Sequence, residues 1–389
     1  MSGTGAGLEG SVSVRLETAA GRVRAVSVQV RRPAAARALC GRTPDEAMRL
    51  VPLLFSLCGT AQSLAALDAL EDALGLDARP HATARALLAE AETATNHAWQ
   101  VLMDWPAQLG EAPQPRELAG LRAAAAAIHP ALYPARDGLR PGGGLLRPDR
   151  AALTAAVAAL RQGVERAVFA APVPTDAADL ERWAEAGGTG AARLMRRVLA
   201  PGMAGFGVCS VPALEPHPAR WFGERLAADT AFSEHPRQDG APAHTGPLAR
   251  QSTHPLVAAL LSRHGSGIAA HAAARLMELA GLAERLTRWA DRLEDAEPAP
   301  NTGSARCGAG SGAVETARGR LAHWLRLEDG RIADCRIVAP TEWNFAADGP
   351  LAQGLAGAVA DGALAGRAAL LVGALDPCVA PAITIQDEG

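Results

Sequence analysis

Glu315-Thr-Ala-Arg318-Gly319-Arg-Leu-Ala-His323-Trp324, answered further on by Val338-Ala-Pro340-Thr341-Glu-Trp343-Asn344, is the stretch whose reading decides the fold. Leu321, His323, Leu325 and Leu327 alternate, Glu328-Asp329-Gly330 supplies a turn, and Ile332 to Val338 return, which predicts a β-hairpin. The other end of the chain carries the same signature. Val12, Val14 and Leu16 run to Gly21, and Val23, Val26, Val28 and Val30 come back, giving an N-terminal hairpin over 11–31. Between them, residues 43–296 read as a helical body. Thr43-Pro44-Asp45-Glu46 is a helix start, and one helix is expected from there to about Leu74, before Gly75. Further helices are expected over about 82–104, 150–167, 176–199 and 247–294, with proline- and glycine-broken segments between. The Gly/Ser/Pro-rich segment 297–313 reads as a linker, leaving 314–389 as C-terminal hairpin and tail. Hairpins at both ends of a helical chain suggest that the ends meet. The expectation is an α+β, mainly α protein: a single domain over 1–389, with a long helical bundle and small antiparallel hairpin layers near the converging termini.

Composition narrows the chemistry. Of 389 residues, 38 are basic and 41 acidic, so no broad electropositive surface for nucleic acid is expected. All of the basic residues are arginine. Without lysine there is no Walker-type phosphate loop and no Schiff-base chemistry. No apolar run reaches the roughly 18 residues of a membrane span, and Met1 to Gly10 has no signal-peptide character, so a cytoplasmic protein with no membrane or nucleic-acid partner is expected. The cysteines at 40, 58, 209, 307, 335 and 378 lack framework spacing and read as free thiols or metal ligands. The histidines show no paired zinc spacing.

Leu57-Cys58-Gly59-Thr60-Ala61 near one end and Asp376-Pro377-Cys378-Val379-Ala380-Pro381 near the other complete a pattern with the central stretch. In this order the segments resemble the metal-bearing large subunit of nickel-iron hydrogenases. That family carries Arg-x-Cys-Gly-x-Cys-x-x-x-His, Ala-Pro-Arg-Gly-x-Leu-x-His-Trp, Val-x-Pro-Thr/Ser-x-Trp-Asn and Asp-Pro-Cys-x-x-Cys-x-x-His. Leu8-Glu9-Gly10, Asn96-His97 to Asp104-Trp105, and Gly246-Pro-Leu-Ala-Arg250 also match, so the resemblance runs from about residue 8 to the end. It implies that Cys58 and Cys378 are metal ligands, matching the terminal nickel cysteines. It implies that Arg318 and Thr341, with Pro340 beside them, form a cyanide pocket. Glu9 and His323 are family-matched supporting residues.

The departures change the implied function. The bridging cysteines are Ala61 and Pro381, the following histidines are Ala65 and Thr384, and the Arg before the first motif is Ser56. A nickel thiolate centre wants more soft ligands than two, so functional nickel binding is not expected. The chain in this respect resembles the accessory HupK/HoxV-type hydrogenase expression/formation proteins. The resemblance implies a non-enzymatic scaffold or carrier in nickel-iron hydrogenase maturation that transiently holds an Fe(CN)2CO unit. Its implied partners are the hydrogenase maturation chaperone complex and the hydrogenase large subunit. Eleven residues follow Cys378, without the family's terminal His, so no maturation cleavage is expected. Two rivals are a divergent catalytic large subunit and a metal-free decoy that engages the chaperones. Cys40, Cys209, Cys307 and Cys335 read as buried or incidental thiols, Trp324 and Trp343 as core, and His97 as a packing or hydrogen-bonding residue.

Overall fold

The computed structural model describes residues 10–32, 35–299 and 307–387. β1 (Ser11–Ala19) and β2 (Arg22–Arg31) pair antiparallel through Ala20 and Gly21. Both turn residues have positive φ, 51° and 72°, the backbone twist that a two-residue hairpin loop requires. Val12, Val14 and Leu16 point into the core, as the alternation predicts. The C-terminal tail adds a strand that the sequence does not announce: β6 (Ala380–Asp387) lies parallel to β1, from Ser11 opposite Ala380 to Thr18 opposite Asp387. The ends of the chain therefore meet in one sheet of order β2-β1-β6, which is mixed rather than purely antiparallel.

The second sheet is an antiparallel meander of β3 (Gly308–Thr316), β4 (Gly319–Glu328) and β5 (Arg331–Val338). β3 corrects the linker expected over 297–313, of which residues 300–306 lie outside the described residues. Its glycines are not there for flexibility. A Cβ on Gly308, Gly310 or Gly312 would meet the carbonyl oxygens of Ala73, Ala69 and Ala65 at 2.3, 2.2 and 2.1 Å. Every second residue of the strand thus faces every fourth residue of the helix Gly59–Leu74. The rises agree, at about 6.8 Å for two strand residues and about 6.0 Å for four helical ones. Backbone packs on backbone, and only glycine fits.

Several expected helices are broken. The run from Thr43 becomes Pro44–Leu54 and Gly59–Leu74, interrupted at residues 55–58. Thr43 and Glu46 close the first with a capping box, while Pro52 in its last turn removes a backbone donor. The break makes Cys58 the N-cap of the second helix. Ala82–Trp99 continues through a wide turn at Gln100–Asp104 into Trp105–Gln108. Gly187 splits the expected 176–199 helix into Ala177–Ala186 and Gly190–Leu199, and the 247–294 region holds four helices. Of these, Ile268–Ala280 is buried on nearly all sides and forms the centre of the main core. Among the described residues no helix is long and apolar enough to cross a membrane.

Candidate functional site

Cys58 and Cys378 come to one pocket from opposite ends of the chain. Cys58 has no side-chain capping bond to its helix. A residue from another helix caps it instead. Glu92 accepts the Thr60 and Ala61 N–H groups at 2.7 and 2.9 Å, satisfying donors that would otherwise be orphaned beside the sulfur. The Cys58 thiol is pushed up to about 12, first by burial, then by Cys378 and Glu92, with Arg318 opposing. Gln62, one turn on, donates to the Cys58 sulfur at 3.7 Å, and its carbonyl oxygen is 2.7 Å from Nε2 of His323. His323 is fully buried on β4, and burial holds it down at about 3, so it is neutral and donates to Gln62. It orients the residue that touches the sulfur.

Cys378 follows the helix Leu364–Leu375, which ends on Asp376 at φ 54°. Its sulfur lies 3.2 Å from Oγ1 of Thr341, and its N–H donates to the same oxygen at 3.4 Å. Pro340 opens the short helix Pro340–Asn344 and is buried with it, which fixes Thr341 and Glu342 in its first turn. Arg32, just past β2, donates to the Cys378 sulfur at 2.7 Å and forms an ion pair with the buried Glu342. Burial pulls the Arg32 guanidinium down, but Glu342, Cys378 and Cys58 outweigh it and raise it overall.

Arg318 is a buried cation of the same site. It sits on the turn between β3 and β4, where Gly319 (φ 132°) and Gly246 (φ 117°) interlock. A Cβ on Gly319 would come within 2.4 Å of Thr245, and one on Gly246 within 2.8 Å of the Arg318 carbonyl. The Arg-Gly pair is thereby locked in place. Arg318 Nε is 3.3 Å from Asp376 Oδ1 without hydrogen-bond geometry, and its Nη1 is buried with no hydrogen-bond partner. Behind it the fully buried Arg275 leaves Nε and Nη1 without hydrogen bonds, lies 3.9 Å from Asp376 Oδ2 and donates to the Ala374 carbonyl. Nearby Asp104 is pushed up to about 6, by burial and then by Asp376. Buried donors without partners cost about 1–3 kcal/mol each, and here those of Arg318 lie close enough to both thiols for their charges to interact.

The lost ligand positions are filled with inert groups. Ala61 is buried against Ala65, Leu321 and Ala339. Pro381 lies on β6 opposite Val12 and is exposed. Among the described residues no group of three or more His, Cys, Asp or Glu side chains could hold a metal ion. Glu9 lies outside the described residues. Of the other thiols, Cys335 is buried, Cys209 half-buried, and Cys40 and Cys307 exposed. Sequence reading missed Arg32, Glu342, Gln62, Glu92, Arg275 and Asp104 as parts of the site. Arg32 left a local signal as a charge directly past the end of an alternating strand, and Glu342 and Asp104 stood inside matched segments without being singled out.

The sequence model of the family described as nickel-dependent hydrogenase matches residues 224–383. The hydrogenase expression/formation protein HupK of Azotobacter vinelandii is 33% identical over 95% of this chain and 96% of its own. HoxV of Cupriavidus necator, also named a hydrogenase expression/formation protein, is 32% identical over 89% and 88%. Among solved structures, the reduced, active nickel-iron-selenium hydrogenase of Desulfomicrobium baculatum superposes with a TM-score of 0.68 at 18% identity, covering 93% of this chain and 95% of that one. The shared fold is that of a hydrogenase large subunit.

Proposed function

The chain belongs to the hydrogenase expression/formation proteins of the HupK/HoxV kind, and we propose that within hydrogenase maturation it is a non-enzymatic carrier of an Fe(CN)2CO unit. The observation that carries this reading is the buried Arg318, whose Nη1 has no hydrogen-bond partner among the described residues, beside two thiols that no third His, Cys, Asp or Glu among those residues joins as a metal site. Iron with three diatomic ligands leaves positions that two thiolates can fill. Its cyanide nitrogens carry negative character and need donors when desolvated, and a charged guanidinium is the stronger one. Thr341 Oγ1, already beside the Cys378 sulfur, is the second donor in this reading. Cys58 is protonated at neutral pH with its thiol near 12, so taking up the unit releases a proton, and retention should strengthen as pH rises. The maturation chaperone complex would deliver the unit, and the hydrogenase large subunit would receive it.

Infrared spectroscopy of protein purified anaerobically from a host with its maturation system tests the proposal. Cyanide and carbonyl bands are expected. Cys58→Ser and Cys378→Ser should each lose most of the bound unit with the fold intact. Should both mutants, separated from partners, keep wild-type bands, neither cysteine is a ligand. Absence of bands in wild type, with stable chaperone complexes, would favour the metal-free decoy. Hydrogen uptake after nickel addition, surviving removal of contaminating hydrogenase, would restore the enzyme reading.

A further inference from the structure

Arg32 has no place in that reading, yet its Nη2 donates to the Cys378 sulfur at 2.7 Å. Its charge acts on Cys58 as well. It is not a loose surface arginine, because its ion pair with the buried Glu342 anchors it beside the sulfur. Thr341 Oγ1 approaches the same sulfur at 3.2 Å. The sulfur of Cys378 is thus engaged by one cationic donor and one hydroxyl.

We propose that Arg32 is a specificity-determining residue: its anchored guanidinium takes the place beside Cys378 that a bare divalent cation would need, so the thiol pair refuses nickel and similar soft ions. Two thiolates alone are an attractive partial site for such ions. A guanidinium held at hydrogen-bond distance blocks one sulfur lone pair and adds a like charge to the approach of any cation. A metal unit whose own charge is cancelled by anionic ligands meets no such repulsion, and its outer nitrogens can accept from arginine. That second half of the argument rests on the carrier function proposed above; the refusal of bare cations does not.

The test uses full-length chain from a host without maturation genes, kept anaerobic and reduced, and titrated separately with Ni2+ and Co2+. Co2+ reports thiolate ligation through its near-ultraviolet sulfur-to-metal charge-transfer band. Wild type should show no such band. Removing the arginine alone would leave Glu342 as a stray ligand, so the informative variant is Arg32→Ala/Glu342→Gln. It should gain the band and bind Ni2+ at least tenfold more tightly, and adding Cys378→Ser should abolish the gain. Arg32→Lys, which keeps the charge on a more flexible stem without the fixed fork of donors, should bind Ni2+ more tightly than wild type but less tightly than the double variant, and serves if that variant fails to fold. A wild-type chain that shows the band, unchanged affinity in the double variant or in Arg32→Lys, or a gain that persists without Cys378 would each overturn the proposal. Because no iron unit is present, none of these results depends on the infrared bands.

Discussion

Two buried polar clusters in this molecule differ in one respect. Around Glu278 the carboxylate is fully bonded: Arg250 donates to both oxygens, at 2.6 and 2.9 Å, His97 lies 3.0 Å from Oε2, and Arg250 reaches on to Glu315, which leaves His97 Nδ1 as the one buried atom of this group without a hydrogen bond among the described residues. Burial would raise Glu278, but Arg250 and His97 outweigh it and hold it well below the usual range. Around Asp376 the bonding is open, with Arg318 and Arg275 each retaining a guanidinium nitrogen without a hydrogen bond and Asp376 Oδ2 unmatched. A closed cluster fastens helices together. An open one stores unmet donors, which suits a guest with acceptor atoms.

The largest difference should appear on deleting one charged partner from each. Glu278→Ala leaves the half-buried Arg250 with Glu315 alone and takes the partner from the buried His97, and stability should fall by about 3 kcal/mol, read as a lowered denaturant midpoint at constant slope. Removing Arg318, as Arg318→Met, leaves Asp376 beside Arg275 and should cost clearly less. Equal losses at the two sites would erase the distinction between closed and open. Arg318→Lys sharpens it further. Lysine keeps the charge but not the fixed fork of donors, so the cyanide and carbonyl bands should weaken several-fold while the unfolding midpoint barely moves. Bands of wild-type intensity would remove Arg318 from the cargo site.

The two clusters were also unequally legible. Arg318, Thr341, Cys58 and Cys378 stand in local motifs, and the hairpins near the two ends show strand alternation, so the meeting of the ends followed from sequence. β3 did not, because Gly308, Gly310 and Gly312 look like linker composition and acquire meaning only against Ala65, Ala69 and Ala73. The same holds for Glu92, which caps a helix 31 positions away, and for Arg275, which reads as one more arginine on an apolar helix. Pairings across the fold leave no local pattern. The break that exposes Cys58 as an N-cap was hidden because apolar spacing continues through Leu53, Leu54 and Leu57, all of them exposed in the structure.

Acid should act on the two clusters with opposite consequences, and this is the smallest effect expected. Glu278 is depressed in the folded protein, so its stabilisation is complete above the ordinary carboxylate range and is lost only as pH falls below it. Between pH 7 and 5 it changes nothing. Asp104, pushed up to about 6, has a folded value above its unfolded one near 3.9. Its relative stabilisation is therefore present at low pH and is lost as pH rises through about 6. Lowering pH from 7 to 5 should let Asp104 take up a proton in the folded state only, a gain of about 1 kcal/mol by linkage. Asp68, raised to about 6 by burial, adds a slope of the same sign, and His97, His271 and His323, held below the ordinary imidazole value by burial, add slopes of the opposite sign because only their unfolded forms take up a proton there, so wild type alone cannot assign the gain. Asp104→Asn isolates it: the variant should lose that part of the pH 5–7 slope in denaturant midpoints while its cargo bands persist. A slope unchanged by the substitution would mean that Asp104 titrates normally, and that Asp376 is not held beside a second carboxyl.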